Sequence, residues 1–214
     1  MRTIQITVTQ DLDPINPRKE YDCDGTLVFF GKEDKHLGDE QPEGGVNGRN
    51  WIEAFLYAQT EPSSVLERID RAMEAIPSVL GPDYCWYPRP EFAKRHELLK
   101  RYRDRFVSRW VDQNLVILEV SRSGDRLWTD TFELENADEA EGFIYMDREA
   151  GRRVEDMIGA LQYEIKEYRT YLEGELYEYQ IEIDGEFATG CGWFESEEAA
   201  LAAAKEELIS GEAR

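Results

Sequence analysis

The chain has 214 residues, of which 46 are acidic and 25 are basic, so its formal net charge at pH 7 is −21. A hydrophobic content of 41% supplies enough apolar surface for a packed core and argues against a wholly disordered chain. No apolar run approaches the roughly 18 residues that a membrane span needs, and anionic lipid surfaces would repel the chain. We therefore expect no membrane partner. Three widely spaced cysteines predict reduced thiols and a cytoplasmic location.

Short strands precede a helical region in the first half of the chain. Residues 2–9 alternate apolar and polar side chains as a strand does, and Thr26–Phe30 have the character of a short buried strand. Apolar spacing predicts helices starting near Asn50 and near Ser63 or Ser64, followed by a helix at 91–112 that is dense in arginine and lysine. These elements predict a helical insertion at about 50–112.

Hairpins and helices alternate in the second half. The predicted elements, in chain order, are strands at 115–120, 127–133 and 142–146, a helix from about 148 to 172, strands at 176–183 and 187–193, and a helix capped by Ser196. Together they predict an α+β fold with antiparallel hairpins and packed helices. Alternation in the second hairpin predicts Glu178, Glu182 and Asp184 on the outer face of the first strand, and it predicts that the second strand buries Phe187, Thr189, Cys191 and Trp193. The chain divides into an N-terminal region (1–112) and an acidic α+β region (113–214), with one continuous domain as the alternative.

The acidic residues are unevenly distributed. Residues 1–90 carry a net charge of −7, residues 91–126 carry +3, and residues 127–214 carry −17. A basic middle argues against the general surface acidity of a salt-loving host. The basic helix at 91–112 has two interpretations: contact with nucleic acid, or an internal counter-charge to the acidic C-terminal part. We favour the second, because the negative charge of the rest of the chain opposes direct nucleic-acid binding.

The acidic candidates for partner binding fall into local sets. They are Asp130, Glu133, Glu135, Asp138, Glu139 and Glu141, then Glu178, Glu182 and Asp184 of the second hairpin, and Glu197 and Glu198 of the last helix. Duplex DNA carries one charge per roughly 1.7 Å of its axis, so a rigid carboxylate surface of similar density can occupy a phosphate-binding site. The alternative is a solvated acidic face that only aids solubility.

Catalytic motifs are absent from the sequence. Only two histidines occur, and there is no zinc spacing, no phosphate-binding loop and no dinucleotide fingerprint. Asp22, Asp24 and Asp39 are weak candidates for holding a divalent cation, although aspartates of this kind are typical of turns and caps. We expect no catalytic residue and no cofactor.

Six segments of the chain carry a resemblance to known proteins: Asp13–Arg18, Asp22–Val28, Leu37–Asp39, Gly142–Tyr145, Tyr171–Tyr177 and Cys191–Phe194. In this order they resemble the motifs of an uncharacterised family of bacteriophage and plasmid proteins. The run Phe29–Lys32 departs from the family pattern, and residues 50–112 have no counterpart in it. The resemblance implies an origin in a mobile element and assigns no reaction.

These observations lead to a functional expectation. We expect a non-enzymatic acidic protein that binds a basic surface of a host nucleic-acid-handling or defence complex, as a DNA mimic of the anti-restriction or anti-CRISPR kind. Two alternatives remain open. One is a divalent-metal-dependent enzyme that uses carboxylates of the 11–39 region. The other is a structural or accessory phage protein that forms an oligomer, for example a dimer through Trp86 and Tyr87.

Overall fold

The computed structural model describes residues 3–31, 33–42, 46–81, 84–174 and 176–210. The chain forms two compact units that interleave in sequence. Unit 1 comprises Met1–Asp24, Arg122–Trp128 and Gln162–Arg214, and unit 2 comprises Gly25–Ser121 and Thr129–Leu161. The boundary considered above, between residues 112 and 113, lies inside unit 2. Within the polar, glycine-rich stretch 32–49, residue 32 and residues 43–45 lie outside the described residues.

The elements in chain order are β1 (Ile4–Gln10), α1 (Pro17–Glu20), β2 (Thr26–Phe29), α2 (Gly48–Ala58), α3 (Thr60–Glu74), β3 (Ser78–Leu80), β4 (Trp86–Pro88), α4 (Ala93–Asn114), β5 (Leu115–Ser123), β6 (Arg126–Thr131), β7 (Gly142–Asp147), α5 (Val154–Glu173), β8 (Tyr177–Ile183), β9 (Glu186–Phe194) and α6 (Glu197–Ser210). Short 3-10 turns occur at Lys35–Leu37 and Pro90–Phe92. Antiparallel sheets with packed helices confirm the α+β prediction. Helices α2, α3 and α4 occupy the region predicted as a helical insertion.

Three helix starts differ from the sequence-based prediction. Helix α3 begins at Thr60 and not near Ser63 or Ser64. Asn47, and not Asn50, caps α2, because the backbone of Asn47 is extended and its side chain accepts a hydrogen bond from the Asn50 amide at 2.8 Å. Helix α5 begins at Val154 and not near 148. Gly151, in a left-handed conformation with φ of +90°, places a turn ahead of the helix.

Unit 1 contains a three-stranded antiparallel sheet in the order β1–β8–β9. Its hairpin turn is formed by Asp184 and Gly185, whose φ angles of 54° and 82° suit a two-residue hairpin loop. Helix α6 packs on one face of this sheet, where Tyr179 and Ile181 are buried against Ala204. The opposite sheet face carries Glu178 and Glu182, as the predicted alternation of β8 requires.

The predicted alternation of β9 is wrong, because this strand contains two bulges. Register shifts lie opposite the β8 intervals Tyr177–Tyr179 and Ile181–Glu182. Phe187 therefore pairs with Glu182, on the outer face, and 67% of its surface is exposed although the sequence pattern predicted it to be buried. Trp193 lies in the other bulge with φ of +74°.

Unit 2 contains the main hydrophobic core. It is built on a four-stranded sheet in the order β2–β7–β5–β6, of which the hairpin tip Arg122–Trp128 belongs to unit 1. The apolar faces of α2, α3 and α4 contribute Trp51, Leu66 and Val107 to a cluster that includes Tyr145 of β7. The rings of Trp51 and Tyr145 have centroids 5.0 Å apart. Strands β3 and β4 form a separate two-stranded hairpin between α3 and α4.

Among the helices that the structure describes, none combines the length and the apolar character needed to cross a bilayer.

Candidate interaction surfaces

The basic helix α4 has one arginine that faces the protein interior. Only 13% of the Arg103 side chain is exposed, and its guanidinium donates to Glu53 of α2 at 2.6 and 3.0 Å and to Asp70 of α3 at 3.0 Å. The hydrogen bonds to Glu53 raise the pKa of Arg103 against the opposing effect of burial. The counter-ions of Arg103 thus lie in the N-terminal half of the chain. The expectation that they belong to the acidic C-terminal part is wrong for this residue, because the core-facing side of α4 packs against α2 and α3.

Other basic residues of α4 face solvent. We call this set the basic face; its members are Lys94, Arg95, Lys100, Arg105 and Arg109, all exposed. Within the described residues, none of the five forms an ion pair. The basic face is therefore a surface feature, in contrast to Arg103.

A groove of about 610 Å³ separates part of the basic face from residues that follow β6. Arg105 and Arg109 of α4 line one wall, and Glu133 and Glu135 line the other together with Phe132. The basic helix and the acidic C-terminal part therefore approach each other here, although no ion pair joins these four side chains. Asp104 and Asp112 also line the α4 wall and balance its two arginines, so one wall is neutral and the other acidic, and the predicted pairing of opposite charges is not formed here.

Residues 130–141, which we call the acidic segment, are held on the core by their own apolar side chains. Ala137 and Ala140 are buried, and the Phe132 ring meets that of Phe143 edge to face with centroids 5.3 Å apart. The close approach of α2 adds to this anchoring, because a β-carbon on Gly48 would lie 2.4 Å from the carbonyl oxygen of Ala137. The predicted partner-binding residues of this segment, Asp130, Glu133, Glu135, Asp138, Glu139 and Glu141, are all exposed.

Glu119 of β5 joins the acidic segment and was not among the predicted site residues. Burial raises the pKa of Glu119, and the neighbouring carboxylates of Asp130, Glu141 and Glu139 raise it further. A single carboxylate inside the apolar strand Leu115–Val120 was the sequence signal for this position. In unit 2, the Glu119 carboxylate is thus repelled by three others.

The remaining acidic candidates lie in unit 1 and do not form one cluster. Glu178 and Glu182 share the outer face of the sheet, where the Thr9 hydroxyl donates to Glu178 at 3.2 Å. Asp184 lies in the hairpin turn, and its side chain accepts a hydrogen bond from the Thr3 amide at 2.8 Å. Glu197 and Glu198 occupy the first turn of α6, an element that packs on the opposite face of the sheet.

The weak metal candidates belong to different units. Asp22 and Asp24 lie in unit 1, whereas Asp39 lies in unit 2 and accepts a hydrogen bond from the Leu27 amide at 2.7 Å. In the part of the chain that the structure describes, no group of three or more His, Cys, Asp or Glu side chains is arranged to hold a metal ion.

The hairpin formed by β3 and β4, residues 78–88, exposes large apolar side chains. The exposed residues are Val79, Leu80, Tyr84, Trp86 and Tyr87, of which Trp86 exposes 70% of its surface. Asp83 is the only charged residue between Ala75 and Pro88, in a chain where a third of all residues are charged. We call this element the neutral hairpin.

Comparisons with known proteins identify no relative, since no family model, no curated protein and no solved structure matches the chain.

Proposed function

We propose that this protein is a non-enzymatic binding protein whose acidic segment docks onto a basic, nucleic-acid-binding surface of another protein. The anchoring of the acidic segment is the observation that carries the proposal. Its apolar residues pack in the core of unit 2 while its carboxylates project into solvent. Carboxylates fixed in this way lose little conformational freedom when a partner binds.

The electrostatics of the acidic segment support a cationic partner. Burial is the largest cause of the raised pKa of Glu119, and the carboxylates of Asp130, Glu141 and Glu139 raise it further, so their repulsion adds to the free energy of the isolated protein. A lysine- or arginine-rich surface removes that repulsion on binding. Interactions of this kind accelerate association and select for charge complementarity more than they add affinity.

The class of partner follows from the density of the carboxylates. The acidic segment has six within twelve residues, which makes it a candidate mimic of the phosphates that such a surface normally binds. Because of the sequence resemblance to bacteriophage and plasmid proteins, host restriction or CRISPR complexes are the partners to test first. The interaction would take place in the cytoplasm of the host cell.

Displacement of DNA from a purified restriction endonuclease and from an RNA-guided nuclease tests this function. The full chain should release labelled duplex from at least one of them, and its potency should fall as salt concentration rises. Replacement of three segment carboxylates (Glu133→Gln, Glu135→Gln and Asp138→Asn) should weaken displacement roughly tenfold, the sum of three exposed charge pairs.

A matched triple variant of unit 2 controls for net charge. Glu61→Gln, Glu74→Gln and Glu91→Gln remove the same charge from exposed positions outside the acidic segment, and displacement should stay within about twofold of the unmodified protein. Equal losses in the two triples would contradict the assignment to the acidic segment. Failure to release DNA from either nuclease would contradict DNA mimicry of these partners.

A second candidate function, that of a structural or accessory homodimer, is favoured by the neutral hairpin. Two copies of a chain with a net charge of −21 repel each other. That repulsion is weakest where charged residues are scarce, and here the scarcity coincides with exposed aromatic side chains.

A further inference from the structure

A pocket in unit 1 has features that neither the acidic segment nor the neutral hairpin shares. It lies between the C-terminal half of α5, the end of β9 and the start of α6, and its volume is about 220 Å³. Its lining residues are Tyr163, Lys166, Glu167, Thr170, Leu176, Trp193, Phe194, Glu195 and Ala199. One water occupies ~30 Å³ in the liquid, so the pocket has the volume of about seven waters. This is enough room for the head group of a long side chain.

Aromatic rings supply much of the pocket wall. Tyr163 exposes 60% of its surface, and Trp193 and Phe194 come from the bulged end of β9. Trp193 adopts a φ of +74°, which is a strained conformation for a bulky residue, and its ring meets that of Tyr21 edge to face at 5.7 Å. The bulge therefore places an indole at the pocket and a second aromatic contact supports it.

The polar groups of the pocket are mainly hydrogen-bond acceptors. The hydroxyl of Thr170 donates to the Lys166 carbonyl oxygen at 2.9 Å, and Tyr163 is hydrogen-bonded to the Glu167 carboxylate, which raises the pKa of Tyr163. Both hydroxyl oxygens thus keep lone pairs for a ligand. The charged donor among the lining residues, Lys166, is engaged by Glu195 at 2.9 Å.

The net charge of the lining residues favours a cationic ligand. Glu167 and Glu195 together outweigh Lys166, so the lining has a net charge of −1. The side chains of Lys166 and Glu195 are 52% and 56% exposed, so their ion pair is weak. A cationic ligand can therefore compete with Lys166 for Glu195. Aromatic faces beside carboxylates are a favourable environment for organic cations.

We propose that this pocket binds a guanidinium group, as presented by an arginine side chain of a protein partner. The guanidinium stacks on the rings of Trp193 and Tyr163 and donates hydrogen bonds to Glu167 and Glu195. This inference rests on the proposed function, because it supplies a specific anchor for the basic surface to which the protein binds. The anchor lies in unit 1, whereas the acidic segment lies in unit 2.

Titration of the full chain with ethylguanidinium, followed by NMR, tests the pocket directly. The indole N–H signal of Trp193, assigned with the variant Trp193→Phe, should shift and saturate. Ethylurea, which has the same shape without the charge, should leave the signal unmoved. Glu167→Gln and Glu195→Gln should each weaken ethylguanidinium binding by about two- to fivefold. Glu206→Gln, an exposed position on α6 outside the pocket, should leave it unchanged.

Lys166→Gln gives a result of opposite sign. Loss of the competing ammonium should tighten ethylguanidinium binding by about two- to fivefold. Three results would each overturn the guanidinium assignment. They are equal shifts with ethylurea, absence of saturation with ethylguanidinium, and binding of the anion propionate that Lys166→Gln abolishes.

The outcome is independent of the DNA-displacement experiment. Ethylguanidinium binding without DNA displacement keeps the pocket and rejects the proposed function. Displacement without ethylguanidinium binding rejects the pocket alone.

Discussion

Arg103 of α4 holds Glu53 of α2 through two parallel hydrogen bonds, Nη1 to Oε1 at 2.6 Å and Nη2 to Oε2 at 3.0 Å. The same guanidinium uses its Nε to reach Asp70 of α3 at 3.0 Å. One side chain therefore connects three helices of unit 2. The Arg103 side chain is 13% exposed, and it compensates two partly buried carboxylates, of which Glu53 also has Arg49 at 3.5 Å.

Removal of Arg103 should destabilise the protein because two partly buried carboxylates lose a counter-ion. We expect Arg103→Met to lower the free energy of unfolding by about 2–3 kcal/mol, less than for a fully buried pair. Arg101→Met is the matched control, since Arg101 forms an exposed ion pair with Glu97, and its cost should be below about 0.5 kcal/mol. Urea unfolding of both variants measures the difference. Similar losses would show that Arg103 contributes no more than a surface arginine.

Gly48 allows the first turn of α2 to approach the acidic segment. A β-carbon at this position would lie 2.4 Å from the Ala137 carbonyl oxygen and 2.6 Å from the ring of Phe143. We expect Gly48→Ala to destabilise the protein by about 1–3 kcal/mol and to increase hydrogen exchange in residues 132–140.

Gly159 of α5 is the control for the Gly48 substitution. A β-carbon there meets nothing within 4 Å, so Gly159→Ala should stabilise the helix by about 0.5–1 kcal/mol. Thermal unfolding distinguishes the two directions. Unchanged exchange in residues 132–140 of Gly48→Ala would mean that this contact does not hold the acidic segment.

Glu119 should make stability depend on pH. Burial and the carboxylates of Asp130, Glu141 and Glu139 raise its pKa in the folded state above that in the unfolded state. The folded state therefore binds the proton more tightly, and stability falls as pH rises through the raised pKa. Glu119→Gln should stabilise the protein at pH 7 by a few tenths to about 1 kcal/mol, and the gain should vanish below the ordinary pKa of a glutamate.

Urea unfolding at pH 7 and near pH 4 measures the effect of Glu119→Gln. Glu91→Gln removes the same charge from an exposed turn in unit 2 and should give little change at either pH. A pH-independent gain in Glu119→Gln would attribute it to packing and not to charge.

The local elements of this fold follow from sequence patterns more closely than the candidate site does. The Asp184–Gly185 pair predicts the β8–β9 hairpin, and the spacing of Tyr179 and Ile181 predicts the buried face of β8. The side-chain directions of β9 depend on two bulges. A bulge reverses the faces to which the residues beyond it point, and it does so without altering the composition of the strand. The sequence pattern therefore assigned Phe187 to the wrong face.

Long-range topology separated residues that the sequence had grouped. The acidic segment and the carboxylates Glu178 and Glu182 lie within the same C-terminal stretch but belong to different units. The partners of Arg103 are likewise distant in sequence, 50 residues away for Glu53 and 33 for Asp70. Charge totals over consecutive residues cannot distinguish such arrangements, because strand and helix pairing decides which charges meet.

The neutral hairpin should support dimer formation if the second candidate function is correct. Trp86 exposes 70% of its surface on an element with little charge, so the association should be apolar. Sedimentation velocity of the full chain should show a dimer that strengthens with added salt, because salt screens the repulsion between two chains of charge −21.

Trp86→Ser with Tyr87→Ser should give a monomer. Phe187→Ser, which removes another exposed aromatic residue in unit 1, should leave the dimer intact. Salt acts in the opposite direction on the complex proposed for the acidic segment, so one salt series separates the two functions. A chain that is monomeric at all salt concentrations would exclude the homodimer.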